Sequence, residues 1–147
     1  MKNTDNNPAP AGCSTVCPYL MVDSVEKELE FLKNVFSAEI TEELNQQDGS
    51  AMHGEARIGD TTIMMGKSRE EYPARESMNY VYVNDVDETF EKGLQNGATS
   101  LMQPVDQFYG NREAGLRDSQ GNQWWIAQVI ETLTPEEMQK RLSDSEK

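Results

Sequence analysis

The chain has 147 residues, of which 36% are hydrophobic and 27% charged, and a formal net charge of −13. That length and composition suit one globular domain with its own core and exclude a wholly disordered chain. The acidity argues against nucleic acid and anionic membranes, since neutralising phosphate takes clustered Lys and Arg. No apolar run reaches the roughly 18 residues of a spanning helix.

Residues 1–14 are polar, rich in Asn and Pro, and read as a disordered leader without the basic start and apolar stretch of a signal peptide. Cys13 and Cys17 are too few for a disulfide framework and point to a reducing, cytoplasmic setting. A C-x3-C redox pair and a strand-borne apolar thiol at Cys17 are the other readings. Residues 16–22 read as a strand. Asp23 or Ser24 caps a helix with Val25, Leu29, Leu32 and Phe36 on one face, and Glu26 is placed to close a capping box on Asp23. Residues 39–44 read as an acidic strand and 46–50 as a turn. In the strand 52–58, His53, Glu55 and Arg57 face one way, and Met52, Gly54, Ala56 and Ile58 the other. Gly59-Asp60 suits a type II′ hairpin into a strand over 61–65. Residues 66–77 read as a connecting loop.

The second half restarts with a strand at 79–83. Asp85 caps a helix with Glu88 three residues on, Val86, Phe90 and Leu94 form its apolar face, and Asn96-Gly97 ends it. Residues 99–102 read as a short strand and 103–111, with Pro104, Tyr109 and Gly110, as a loop. Strands over 113–118 and 123–129 are joined by Ser119-Gln120-Gly121-Asn122. Thr134-Pro135-Glu136-Glu137 starts a last helix in a C-terminal segment, 132–147. Val22-Asp23-Ser24-Val25 returns 61 positions later as Val83-Asn84-Asp85-Val86, and the order strand–helix–three strands returns with it. Such a repeat predicts an α+β domain over 15–131, made of two βαβββ modules at about 15–66 and 78–131, plus the C-terminal helix.

The segments Pro18-Tyr19-Leu20-Met21-Val22, His53-Gly54-Glu55-Ala56-Arg57-Ile58-Gly59-Asp60, Tyr80-Val81-Tyr82-Val83-Asn84-Asp85-Val86, Asp106-Gln107-Phe108-Tyr109-Gly110-Asn111-Arg112 and Arg117-Asp118-Ser119-Gln120-Gly121-Asn122-Gln123-Trp124-Trp125 carry a resemblance in their order and spacing. The chain resembles the vicinal oxygen chelate superfamily, the glyoxalase/bleomycin-resistance/dioxygenase group, and within it the PhnB-like branch. The resemblance covers most of residues 16–130. It implies paired βαβββ modules curled around a central cavity, and a homodimer. It also implies, in metal-dependent members, a divalent ion held by one ligand from each of four equivalent strands and acting as a Lewis acid on vicinal oxygens. By the family pattern those positions fall near Cys17, Met65, Met78 and Trp125. None is the His or carboxylate that hard or borderline cations take. No metal and no cofactor are therefore expected.

His53, the one histidine, and Glu55 are the candidate catalytic residues, as a general base with its partner. The plainer reading is a half-exposed strand histidine paired with an acid. Tyr80 and Tyr82 share a strand face and line either the expected cavity, the core or a dimer interface. Trp124 and Trp125 point to opposite faces, so Trp125 can stack on a planar ligand or simply fill the cavity. Phe108, Tyr109 and Arg112 read as a lid or rim, with Arg112 neutralising an anionic group, or as a loop clamped on its own module. Arg57 and Arg117, at equivalent points of the halves, suit either a bound carboxylate or structural ion pairs. The expected ligand-binding set is thus Tyr80, Tyr82, Phe108, Tyr109, Arg112 and Trp125. Three functions compete. One is metal-independent binding of a small, aromatic molecule. Another is lyase, isomerase or dioxygenase chemistry with His53 and Glu55 moving protons. The third is an interaction protein with a vestigial cavity.

Overall fold

The computed structural model describes residues 6–147, so the first five residues of the expected leader lie outside the described residues. The chain divides into two compact units, Met1–Ser77 and Met78–Lys147. The first contains β1 (Tyr19–Val22), α1 (Val25–Phe36), β2 (Glu39–Asn45), β3 (Ala51–Ile58) and β4 (Thr61–Lys67). Its sheet has the order β1-β4-β3-β2, with β1 parallel to β4 and the other pairs antiparallel. The second contains β5 (Met78–Tyr82), α2 (Val86–Gln95), β6 (Thr99–Asp106), β7 (Asn111–Arg117), β8 (Gln123–Val129) and α3 (Pro135–Ser145). Its order is β5-β8-β7-β6, with β5 parallel to β8. Two mixed four-stranded sheets and three helices give the α+β class and the βαβββ repeat expected from the sequence. The registers agree with the repeat: Tyr19 pairs with Met64, and Tyr80 with Trp125.

In the first unit α1 buries Val25, Leu29, Phe31, Leu32 and Val35 against the sheet. Ser24 is its N-cap, the hydroxyl accepting the Lys27 N–H at 3.3 Å. Asp23 is instead drawn to the Ser68 hydroxyl at 2.6 Å. Glu26 closes no box on Asp23; its carboxylate accepts the Ala51 N–H and ties the helix start to β3. Gly54 lies under the helix, where a Cβ would stand 2.9 Å from both Leu29 and Val25. Gly54→Val is expected to overpack this contact and cost about 1–3 kcal/mol, read as a lower urea midpoint. β1 begins at Tyr19 rather than at residue 16, and Val16 is exposed. Part of the expected leader is held on this unit, since the Thr62 hydroxyl donates to the Gly12 carbonyl at 2.7 Å; within the leader the Cys13 N–H donates to the Pro10 carbonyl at 3.1 Å. In the β3–β4 turn Gly59 has φ 57 and Asp60 is not in the positive-φ region, as a type II′ turn requires.

In the second unit α2 starts on Asp85, whose carboxylate accepts the Glu88 N–H at 3.0 Å, and buries Val86, Thr89, Phe90 and Gly93. Leu94 is exposed, because Gly93 occupies the contact with Leu116. β6 runs on through Pro104 to Asp106, where a loop was expected. β6 is the edge of its sheet, so the missing Pro N–H breaks no central ladder, and the register slips between Met102 and Val105. The long loop thereby contracts to a turn at 107–110. α3 buries no residue; Arg141 fastens it to Glu131 and to the Phe108 carbonyl. Among the described residues no helix is long and apolar enough to cross a membrane.

Candidate functional site

With Gly54 under α1, the alternation of β3 turns His53, Glu55 and Arg57 to the opposite, open face of the sheet. The register sets Gly66 beside His53, and Met64 and Glu42 beside Glu55. On this face His53 Nδ1 lies 3.2 Å from the Tyr19 hydroxyl, and Nε2 lies 2.9 Å from Glu55 Oε2. The expected pair is thus brought together, and Tyr19 extends it into a three-residue chain. Tyr19 was missed, although the 61-residue offset that matches it to Tyr80 was a signal. Arg57 is occupied by the Gly59 carbonyl at 3.0 Å.

Glu42 adds a second carboxylate: donor atoms of Glu42, His53 and Glu55 all lie within 4.8 Å of one another. A hydrogen bond with Glu55, and then the Glu55 charge, hold the Glu42 carboxyl above its ordinary range. A carboxyl whose folded pKa is raised lends stability below that pKa and loses it as pH rises through it. Glu42→Gln is therefore expected to raise the urea midpoint at neutral pH and to flatten its fall between acidic and neutral pH. An unchanged pH profile would show that the two carboxylates do not interact.

The divalent ion that the resemblance implies does not fit the four strand positions of the family pattern; the imidazole and carboxylates that could hold a cation are instead those of Glu42, His53 and Glu55 on the first unit's open face. Met65, expected near the second ligand position, is buried on the helix side of β4, and Met64 takes the open face. The Cys17 thiol donates to the Ser14 carbonyl at 3.3 Å. Trp125 offers only an indole N–H, which donates to Gln123 Oε1 at 3.0 Å. An indole and thioethers are not the donors of a hard or borderline cation.

In the second unit Trp124 is buried and Trp125 stands on the open face, where β5 sets Tyr80 beside it. Tyr80 and Tyr82 form an edge-to-face pair at 5.4 Å, as do Phe108 and Tyr109 at 5.1 Å. At the centre is Glu113, only 7% exposed. Its Oε2 accepts the Tyr80 hydroxyl at 2.5 Å and the Tyr109 hydroxyl at 2.7 Å, and Asn111 Nδ2 donates to the Tyr80 oxygen at 3.0 Å. Burial, and then the hydrogen bond to Glu113, push the Tyr80 phenol up to about 12; the same two causes push Tyr109 upward as well. An absorbance titration should therefore find these two phenols ionising above the range of a free phenol, and Glu113→Gln should bring both down. Glu113 was missed by sequence reasoning. Its signal was an acid within the run Glu113-Ala114-Gly115-Leu116, at the ladder position that His53 holds in the first unit: His53 faces Gly66, and Glu113 faces Ala127.

Arg112 does not join this group. It projects from the other face of β7, where Nε and Nη2 reach Asp87 at 2.9 and 3.0 Å and Nη1 reaches Asp106 at 2.9 Å. It clamps α2 to the β6–β7 turn, and its charge is already answered by two carboxylates. Phe108 stands behind Tyr109 as its ring partner.

Two βαβββ units, each with an open sheet face lined by aromatic and ionisable side chains, define the glyoxalase type of protein. Residues 14–126 match the family model of the Glyoxalase/Bleomycin resistance protein/Dioxygenase superfamily, and the chain belongs to that superfamily. Uncharacterized proteins of Mycobacterium bovis and Mycobacterium tuberculosis are 26% identical over 137 residues, covering 86% of this chain and 90% and 81% of theirs. Among solved structures, TioX from Micromonospora sp. ML1 is 21% identical over 78% of this chain and 98% of its own, with a TM-score of 0.68. A PhnB protein from Bacillus cereus is 18% identical over 78% and 99%, with a TM-score of 0.62. FosX from Listeria monocytogenes is 18% identical over 86% and 95%, with a TM-score of 0.63. At these identities the solved structures establish the fold.

Proposed function

We propose that the chain binds a small planar molecule on the open face of its second unit, through Tyr80, Tyr82, Tyr109 and Trp125, without the metal chemistry of its superfamily. The observation that carries this reading is an aromatic wall left open to solvent. Tyr80 and Tyr82 are 46% and 66% exposed beside Trp125, while the Glu113 carboxylate fixes two of the rings by their hydroxyls. Rigid aromatic walls with a few anchored polar groups suit ligands with a π-face. Phe108 supports the wall through Tyr109, and Arg112 holds the adjoining turn. FosX is described with Mn(II) and sulfate; in this chain Met64, Met78 and Trp125 carry no carboxylate or imidazole to hold such an ion. A cytoplasmic homodimer is the setting this reading assumes, and light scattering tests the dimer. Planar aromatic compounds should quench tryptophan fluorescence and raise the melting temperature of chelator-treated protein. Failure of a broad aromatic panel to do either would overturn the proposal.

A second reading rests on the Tyr19–His53–Glu55 chain, whose contacts of 3.2 and 2.9 Å are short enough to pass a proton. It makes the first unit's open face a site of lyase or isomerase chemistry. His53→Gln would then abolish turnover while leaving ligand affinity on the second unit unchanged.

A further inference from the structure

We propose that the first unit carries a binding cleft for a small aromatic acid, one ring bearing a carboxylate. The cleft has a volume of about 290 Å³. That is at the low end for ligand pockets and suits a single ring with its substituents. Its walls are apolar and aromatic: Met21 and Met52 supply thioethers, and Tyr19 and Tyr72, 52% and 56% exposed, supply rings. Gly66 lets the Tyr19 ring lie across β4, since a Cβ there would come within 2.7 Å of the phenol oxygen.

Two cations line the same cleft, Lys67 and Arg69. In a chain of net charge −13 with 26 acidic residues, surface cations should find carboxylates easily. Lys67 has no carboxylate within ion-pair distance among the described residues; its ammonium lies 3.5 Å from the Ser50 hydroxyl, and its charge acts at longer range on Glu26 and Asp48. Arg69 has one contact with Glu71 at 3.5 Å, between side chains both more than half exposed, and water screens such a pair. Its guanidinium is held over the Tyr72 ring at 4.9 Å. That arrangement is built by the backbone, because Arg69 and Tyr72 exchange both N–H to carbonyl hydrogen bonds at 2.9 and 3.0 Å and close the loop into a tight turn. The turn thus presents a cation and a ring together, and Lys67 adds a second cation at the end of β4. A carboxylate answers the two charges, and the ring it carries packs on Tyr72 and the methionines. The Tyr19 hydroxyl and His53 Nδ1, 3.2 Å apart, offer a polar contact for a ring hydroxyl.

The test distinguishes this cleft from the aromatic face of the second unit. Benzoate and para-hydroxybenzoate, with benzamide and benzyl alcohol as uncharged counterparts, are titrated calorimetrically into the full chain and its variants. The acids should bind about tenfold or more tighter than the uncharged compounds, and less tightly as salt is added. Lys67→Gln and Arg69→Gln, both at solvent-accessible positions, should each weaken acid binding about tenfold with the circular dichroism spectrum unchanged. Trp125→Ala should leave acid binding intact. Equal affinity for acid and uncharged compound, no heat from either acid, or acid affinity unmoved in the Lys67→Gln/Arg69→Gln double variant would overturn the proposal. Loss of acid binding in Trp125→Ala alone would move the acid to the second unit, ending this proposal while leaving the second-unit reading standing.

Discussion

Asp118→Ala is expected to cost about 2–4 kcal/mol of stability, more than any surface substitution in the chain. Asp118 is buried in the turn between β7 and β8. Its carboxylate accepts the indole N–H of Trp124 at 2.8 Å and the backbone N–H groups of Gln120 and Asn122 at 2.9 and 3.0 Å. Trp124 is wholly buried, so its N–H has no water to turn to once the carboxylate is gone. The same turn is closed by the Asp118 N–H on the Asn122 carbonyl at 2.9 Å, with Gly121 in the left-handed region at φ 92. Losing the carboxylate therefore loosens the end of β8 that carries Trp125. Asp118→Asn keeps an acceptor and should recover part of the loss. Urea unfolding measures both; a loss for Ala no greater than that of an exposed surface substitution would mean that the carboxylate is not what holds Trp124.

Gly115→Val is expected to act on both stability and binding. A Cβ at Gly115 would stand 2.7 Å from Trp125 Cζ3 and 2.9 Å from Cε3 and Cη2. The obstacle is a fused ring lying against the strand, which cannot fold out of the way as a flexible chain end can. Overpacking of this kind costs about 1–3 kcal/mol. The indole must also leave its place beside Tyr80, so ligand affinity on this face should fall about tenfold or more, each tenfold being about 1.4 kcal/mol of lost contact. Tryptophan emission should shift, because Trp124 stays buried and Trp125 alone moves. Unchanged emission with full ligand affinity would contradict the assigned position of Trp125.

The architecture was legible because the repeat is written in local signals. The caps at Ser24 and Asp85, the hairpin glycine and the alternation of β3 depend on near neighbours, and they set the element order twice. The pairing of His53 with Glu55 was legible for the same reason, since residues two apart on a strand share a face. Features set by distant partners were not. β6 passes through Pro104 only because it lies at a sheet edge, and edge position is a property of the folded sheet. Arg112 looked available in the sequence, yet it meets Asp87, which lies 25 residues away on α2. Glu113 gained its meaning from Tyr80, 33 residues away. The choice between Met64 and Met65 turned on which residue of β4 faces α1, which sequence spacing could not assign to within one position.

The central claim is that this member of the superfamily binds a planar small molecule on an aromatic face without a metal. The most direct measurement is a fluorescence titration of metal-stripped protein and its Trp125→Ala variant with planar aromatic compounds, alongside elemental analysis of the protein as purified. The expected result is saturable binding that chelation leaves unchanged and Trp125→Ala abolishes. Stoichiometric Fe, Ni, Zn or Mn in the purified protein, with binding lost on its removal, would contradict it.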